Sequence, residues 1–99
     1  MEQPLILEYR TLYKSLLVMR VVNHPMRQEI IKMIQEKGKI TVTEIFVKLR
    51  VEQSIASQHL AALRRIDLLT TTRTGKYISY TVVPERIKEI NDFAELLLK

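Results

Sequence analysis

Apolar positions recur along this chain with two different periods. In residues 5–22 they fall at Leu5, Tyr9, Leu12, Leu16, Met19 and Val22, spaced by three or four, with Tyr13 and Leu17 widening the stripe. That spacing predicts one helix over about 5–22 with a heptad-like seam. A helix this apolar needs a partner to cover it. Pro25 suits the first turn of a second helix, where a missing N–H costs nothing. Ile30, Ile31, Met33 and Ile34 give that helix its core face, and Gly38 ends it beside Lys37. Thr43 is read as the N-cap of a third, short helix, Glu44 to Leu49, which turns Ile45, Phe46 and Leu49 inward. Arg50-Val51-Glu52 is a tight connection to a fourth helix, about Gln53 to Ile66.

The period then changes. Leu68 to Arg73 and Lys76 to Val83 are rich in Thr, Val, Ile and Tyr, with Thr74-Gly75 between them, a β-hairpin signature. Ile78, Tyr80 and Val82 alternate with Tyr77, Ser79 and Thr81, which puts one face inside and the other in water. Pro84 opens a last helix with Ile87, Ile90, Phe93, Ala94 and Leu97 on one side. The order α-α-α-α-β-β-α, mainly α with a small β-hairpin, is that of a winged helix-turn-helix. We expect one such domain over residues 1–99, with the terminal helices at about 5–22 and 84–98. A chain of this size buries a modest core by itself, so pairing would help it.

Composition narrows the chemistry. The absence of cysteine removes disulfides, thiolate metal ligands and thiol redox sensing. Two glycines leave no Gly-rich phosphate loop, and no nucleophile, base and orienting group stand out together, so an enzyme is not expected. His24 and His59 are the only histidines, whereas a working metal site needs three or four ligands, so neither metal nor cofactor is expected. Met19, Met26 and Met33 recur every seven residues and are read as core filling. Met1-Glu2-Gln3-Pro4 places no basic segment ahead of an apolar run, and no apolar stretch approaches the ~20 residues that span a bilayer. The expectation is a cytoplasmic protein without membrane contact.

The net charge of +5 is unevenly spread. Residues 37–83 hold eight basic and three acidic residues, against five and four in 1–36 and three and four in 84–99. A basic excess confined to the middle segment suggests a polyanion partner. At 100° per residue, Ala56, Leu60 and Leu63 share the inner face of the fourth helix, with Ile55, His59 and Ile66 along its edge. The opposite face holds Ser54, Ser57, Gln58, Ala61 and Arg65, with no acid among them. Small residues permit close approach to a major groove, Gln can read adenine, Ser can bond either base and Ala can meet a thymine methyl. Gln53 and Arg64 flank this face within reach of phosphates. Arg73 and Lys76 bracket the hairpin tip, where two cations can straddle a backbone or enter a minor groove, and Tyr77 beside them is a further contact candidate.

Three stretches together resemble the arsenical-resistance-repressor (ArsR/SmtB-like) family of winged-helix regulators. His24-Pro25-Met26-Arg27 with Glu29-Ile30-Ile31 is similar to the family's His-Pro-x-Arg segment. Gln53 to Leu63 is similar to its recognition-helix signature, and Arg73-Thr74-Gly75-Lys76 with Tyr77 and Tyr80 to its wing. The resemblance covers about Leu16 to Phe93. It implies DNA contacts at Gln53, Ser54, Ser57, Gln58 and His59, with Arg73 and Lys76 in the wing. It also implies a homodimer whose first and last helices pair across a two-fold axis, through Leu5, Tyr9, Leu12, Tyr13, Leu16, Ile90, Phe93 and Leu97. Double-stranded DNA carrying an inverted-repeat operator is then the partner, and repression the expected action. Metal-sensing members carry a Cys-x-Cys box where this chain has Phe46 and Lys48, and its last helix offers Glu85, Glu89 and Asp92 but no His. An unknown small-molecule effector, in a pocket near Tyr9 and Tyr13, is compatible with this reading. The alternative is a winged-helix protein-interaction or dimerisation module without specific DNA binding. Glu52, an acid beside the recognition helix, argues for it.

Overall fold

The computed structural model describes residues 4–99. The expectations for Met1 to Gln3, and the first three residues of the 1–99 domain, lie outside the described residues. Helix α1 (Tyr9–Val22) leads to α2 (Pro25–Lys37), strand β1 (Ile40–Thr41), α3 (Val42–Leu49) and α4 (Gln53–Arg65). Strands β2 (Leu69–Thr74) and β3 (Tyr77–Val82) follow, then α5 (Pro84–Leu98). The strands form one antiparallel sheet in the order β1-β3-β2. The result is a winged helix-turn-helix: α3 and α4 joined by a tight turn, with the β2–β3 hairpin as the wing.

Local chemistry fixes the element ends. Pro25 opens α2, and the His24 imidazole caps it by accepting from the Met26 amide at 3.2 Å. Gly38 closes it at φ 84°, a conformation that favours glycine. Between α3 and α4 the chain turns through Arg50 at φ 57°, with the Val51 amide donating to the Phe46 carbonyl at 3.2 Å. α4 closes the same way. Asp67 takes φ 62°, and the Leu68 amide donates to the Leu63 carbonyl at 3.1 Å, with both leucines in the core.

The core lies where α2, α3, α4 and the sheet root meet. Ile30, Ile34, Ile45, Ala56, Leu60 and Leu63 are fully buried, joined by Met33, Ile40, Leu68 and Leu69. No polar or charged residue is buried among the described residues. Val21 and Val22 of α1, and Ile87 and Ile90 of α5, pack only on its rim.

The structure corrects several sequence expectations. α1 begins at Tyr9, not Leu5, and the Leu5 side chain is 102% exposed. Among the described residues little packs on Leu5-Ile6-Leu7, and Glu8 makes no side-chain cap bond, so the first turns lack what offsets helix nucleation. β1 was not foreseen. Its two residues are too few to show a period, and its pairing of Ile40 with Tyr80 and Thr41 with Ser79 is long-range. The α3 cap is Thr41, not Thr43. Thr41 has a Glu three residues on, whereas Thr43 has Phe46 there, and only the former pair can close a capping box. The box is complete: the Glu44 amide donates to Thr41 Oγ1 at 3.2 Å and the Thr41 amide to Glu44 Oε1 at 3.3 Å. The ammonium of Lys37, 2.6 Å from Glu44 Oε2, and the Thr41 amide together hold the Glu44 carboxyl below the usual carboxylate range. Thr41→Ala is expected to cost about 1 kcal/mol of stability, read as a lower urea midpoint with an unchanged slope.

The hairpin also differs in register and depth. Thr74 pairs with Tyr77, so the loop is Gly75-Lys76, with Gly75 at φ 63° in its first position, where a two-residue loop of the II′ kind places glycine. The alternation of faces holds at the sheet root, where Tyr80 and Val82 pack on the core. Toward the tip it fades, and Ile78 is 40% exposed because the hairpin overhangs the body.

The chain is extended for its size. Its Cα radius of gyration is 16.4 Å, with extents of 61 × 24 × 22 Å, against roughly 13 Å for a compact domain of this length. It exposes 7899 Å², about 2,000 Å² more than the roughly 5,900 Å² expected of a compact 11.7 kDa protein.

Candidate nucleic-acid interface

α4 is seated by its inner face. Ala56, Leu60 and Leu63 are wholly buried, and Ala62 is nearly so. This anchoring leaves Ser54, Ser57 and Gln58 exposed, with Arg64 and Arg65 exposed at the far end. Ala61, on the same side, is half-buried. The face is therefore uncharged over its first two turns and cationic in its last. Gln53 is exposed at the helix start. Glu52 precedes it without a side-chain cap bond, and the Ile55 amide donates to the Glu52 carbonyl at 3.0 Å.

Ile55 departs from the helical-wheel expectation, whereas His59 keeps its place at the core edge. Ile55, placed along the core edge by the wheel, is 38% exposed and extends the outer face as an apolar group. The wheel misses this because the core covers α4 less fully at its start than near Ala62. His59, carried over as a DNA contact, is half-buried and engaged within the chain. The Arg27 Nε–H donates to its Nδ1 at 3.1 Å, and the His24 ring lies 4.7 Å away between centroids. Burial pushes the His59 imidazole below its ordinary value, and the neighbouring His24 and Arg27 push it the same way.

The wing brings Arg73, Lys76 and Tyr77 together at the hairpin tip, all exposed. Arg73 Nε donates to the Gly75 carbonyl at 3.3 Å, which folds the guanidinium back along the tip. Lys76 occupies the second loop position. One face of the hairpin is a polar strip of Thr70, Thr72, Thr74, Ser79 and Thr81, set by the pairing of Thr70 with Thr81 and Thr72 with Ser79.

The terminal helices lie apart from this face. Neither α1 nor α5 contributes a buried residue. Tyr9, Leu12, Tyr13, Leu16, Phe93 and Leu97 are all exposed apolar groups, as are Leu96 and Leu98. Ile90 differs from the rest of the expected interface set: it is half-buried against the chain's own core. Among the described residues no three His, Cys, Asp or Glu side chains converge in a way that could hold a metal ion. No helix among them is long and apolar enough to cross a membrane.

Comparison with known proteins agrees with this architecture. Residues 24–71 match the profile of the bacterial regulatory proteins of the arsR family. The transcriptional repressor PagR of Bacillus anthracis is 30% identical over 84 residues, covering 85% of this chain and 84% of PagR. Its crystal structure superposes with a TM-score of 0.67, over 87% of this chain and 99% of that one. The transcriptional activator HlyU of Vibrio cholerae is 29% identical over 75 residues, covering 76% of this chain and 68% of HlyU. The crystal structure of NolR from Sinorhizobium fredii, 26% identical, covers 96% of each chain with a TM-score of 0.74. With its α3-turn-α4 unit and hairpin wing inside the matched and superposed regions, this chain belongs to the ArsR family of bacterial regulatory proteins.

Proposed function

We propose that the chain is a sequence-specific transcriptional repressor that binds an inverted-repeat DNA operator as a homodimer in the cytoplasm. The observation that carries this is the outer face of α4: exposed, free of acids and built of Ser54, Ser57 and Gln58 on a rigidly buried inner face. On this reading Ser54, Ser57, Gln58 and Ala61 meet base edges, while Gln53, Arg64 and Arg65 reach phosphates. Arg73, Lys76 and Tyr77 of the wing engage the neighbouring backbone or minor groove.

The dimer is supported by area. About 2,000 Å² of surface beyond that of a compact monomer, and the exposed apolar faces of α1 and α5, match what a permanent homodimer buries. A two-fold dimer presents two α4 helices and so needs two symmetric half-sites. The PagR name supports repression and the HlyU name activation; the present assignment follows PagR, which is matched over the larger share of this chain.

The test is fluorescence anisotropy with a duplex selected by the protein from a random pool, against a scrambled duplex, at two salt concentrations. A preference of about 10³-fold or more is expected, with affinity falling steeply as salt rises. Gln58→Ala is expected to lose about 1–3 kcal/mol on the selected duplex and nothing on the scrambled one. Weak binding, equal on both duplexes, would favour the protein-interaction module instead.

A further inference from the structure

We propose that Arg27 is a positioning residue for the recognition helix, acting through neutral His59, so that DNA reading weakens in mild acid. The consequence for DNA rests on the function proposed above; the contact itself does not. One guanidinium joins three helices. Arg27 stands in the first turn of α2, its Nη1 donates to the Val21 carbonyl of α1 at 3.2 Å, and its Nε donates to His59 Nδ1 of α4 at 3.1 Å. His59 directly follows Gln58, so the tether acts at the middle of the base-facing surface.

The chemistry of the two partners makes the tether conditional. Arginine only donates, and it keeps its proton at any physiological pH. His59 Nδ1 must therefore keep its lone pair, which puts the ring proton on Nε2. Protonating His59 sets one N–H against another and places a second cation beside Arg27. The titratable groups that bear on His59 are Arg27 from α2 and His24 at the α2 cap, and neither is a carboxylate that would stabilise the imidazolium. From α1 comes the Val21 carbonyl, already used by Arg27. His24 offers no relief either, since its own Nδ1 accepts from the Met26 amide. The depressed imidazole sets the direction. The tether is complete at and above the ordinary imidazole value and is lost only as pH falls through the depressed one.

This sign separates the proposal from simple electrostatics. Acid normally adds positive charge to a protein and strengthens its hold on DNA. Here acid removes a support of α4, and the operator affinity falls.

The test begins on the free wild-type protein by NMR. We expect His59 in the Nε2–H form near neutrality, titrating below 6.5, with the Ser54, Ser57 and Gln58 amides shifting at the same midpoint. Anisotropy on the selected duplex at fixed salt, at about pH 7.5 and at a pH below the His59 midpoint found by NMR, is expected to show a fall of roughly tenfold, the scale of one hydrogen bond to a charged group. Arg27→Met should show the weaker affinity already at the higher pH and no further fall in acid, and Arg27→Gln, which keeps an N–H donor, should recover part of the loss. An Nδ1–H form of His59, α4 amides that ignore its titration, or a wild-type affinity that rises in acid would each overturn the proposal. If no duplex is selected at any pH, the operator reading fails, while the titration of the free protein still decides whether His59 governs α4.

Discussion

Leu60→Ala is expected to remove about 2–5 kcal/mol of folding stability and, with it, most of the DNA-binding competence at 37 °C. Leu60 is 0% exposed and sits between Ala56 and Leu63 on the inner face of α4. Truncation leaves a cavity, and Ala56 on the adjoining turn is too small to lean into it. A domain of this size holds only about 5–15 kcal/mol in total, so the loss is a large share of the whole. The thermal midpoint is expected to fall by about 4–8 °C for each kcal/mol. The substitution touches no exposed residue, so any loss of binding passes through the fold. Leu60→Met, which nearly conserves volume, should cost less than about 1.5 kcal/mol. A Leu60→Ala loss below about 1 kcal/mol, by urea denaturation, would mean that α4 is not seated by this face.

The second large effect is expected on α1. Leu12→Glu places a carboxylate in the exposed apolar stripe of α1, where the chain itself leaves Leu12 48% exposed. Because Leu12 lies outside the core, the protomer should keep its helical circular dichroism. Sedimentation equilibrium should nonetheless show monomer, against the dimer expected of the wild type. Operator affinity should then drop by about 10²–10⁴-fold, since two half-sites no longer bind as one linked unit. A wild type that sediments as monomer, or a variant that stays dimeric with full affinity, would sink the homodimer proposal.

These expectations show where the sequence was informative. Apolar spacing, Pro25 and Gly38 marked α2 because they act within one element, through the proline ring and a positive φ. The inner face of α4 was legible for the same reason: Ala56, Leu60 and Leu63 repeat at helical intervals. Tertiary effects were not legible. β1 exists only because Ile40 and Thr41 meet Tyr80 and Ser79, some forty residues away by the pairing register. The start of α1 depends on packing that Leu5 to Leu7 receive little of from the described residues. At the candidate site, the hydroxyl and amide face could be read from the wheel. The place of His59 at the core edge could be read too, but not its partner, because Arg27 lies thirty-two residues earlier. One local signal does lie in the sequence: the Thr41–Glu44 spacing of a capping box, which Thr43 lacks.

The composition of the core has a consequence for how this protein can change over evolutionary time. Its buried residues are isoleucine, leucine, methionine and alanine, with no buried polar group among the described residues to demand a particular partner. Aliphatic side chains of similar volume replace one another at small cost, and a core under no hydrogen-bonding constraint tolerates several such exchanges together. Drift is therefore free to rewrite the interior while leaving the backbone path intact. Two chains can then retain 30% identity and still superpose over nearly the whole of one of them, as this protein and PagR do. Under such drift, the positions that resist exchange are those with geometric duties, such as the positive-φ closure at Gly38 and the cap at Thr41. Binding preference can meanwhile diverge through a few exposed side chains on α4 without the fold having to follow.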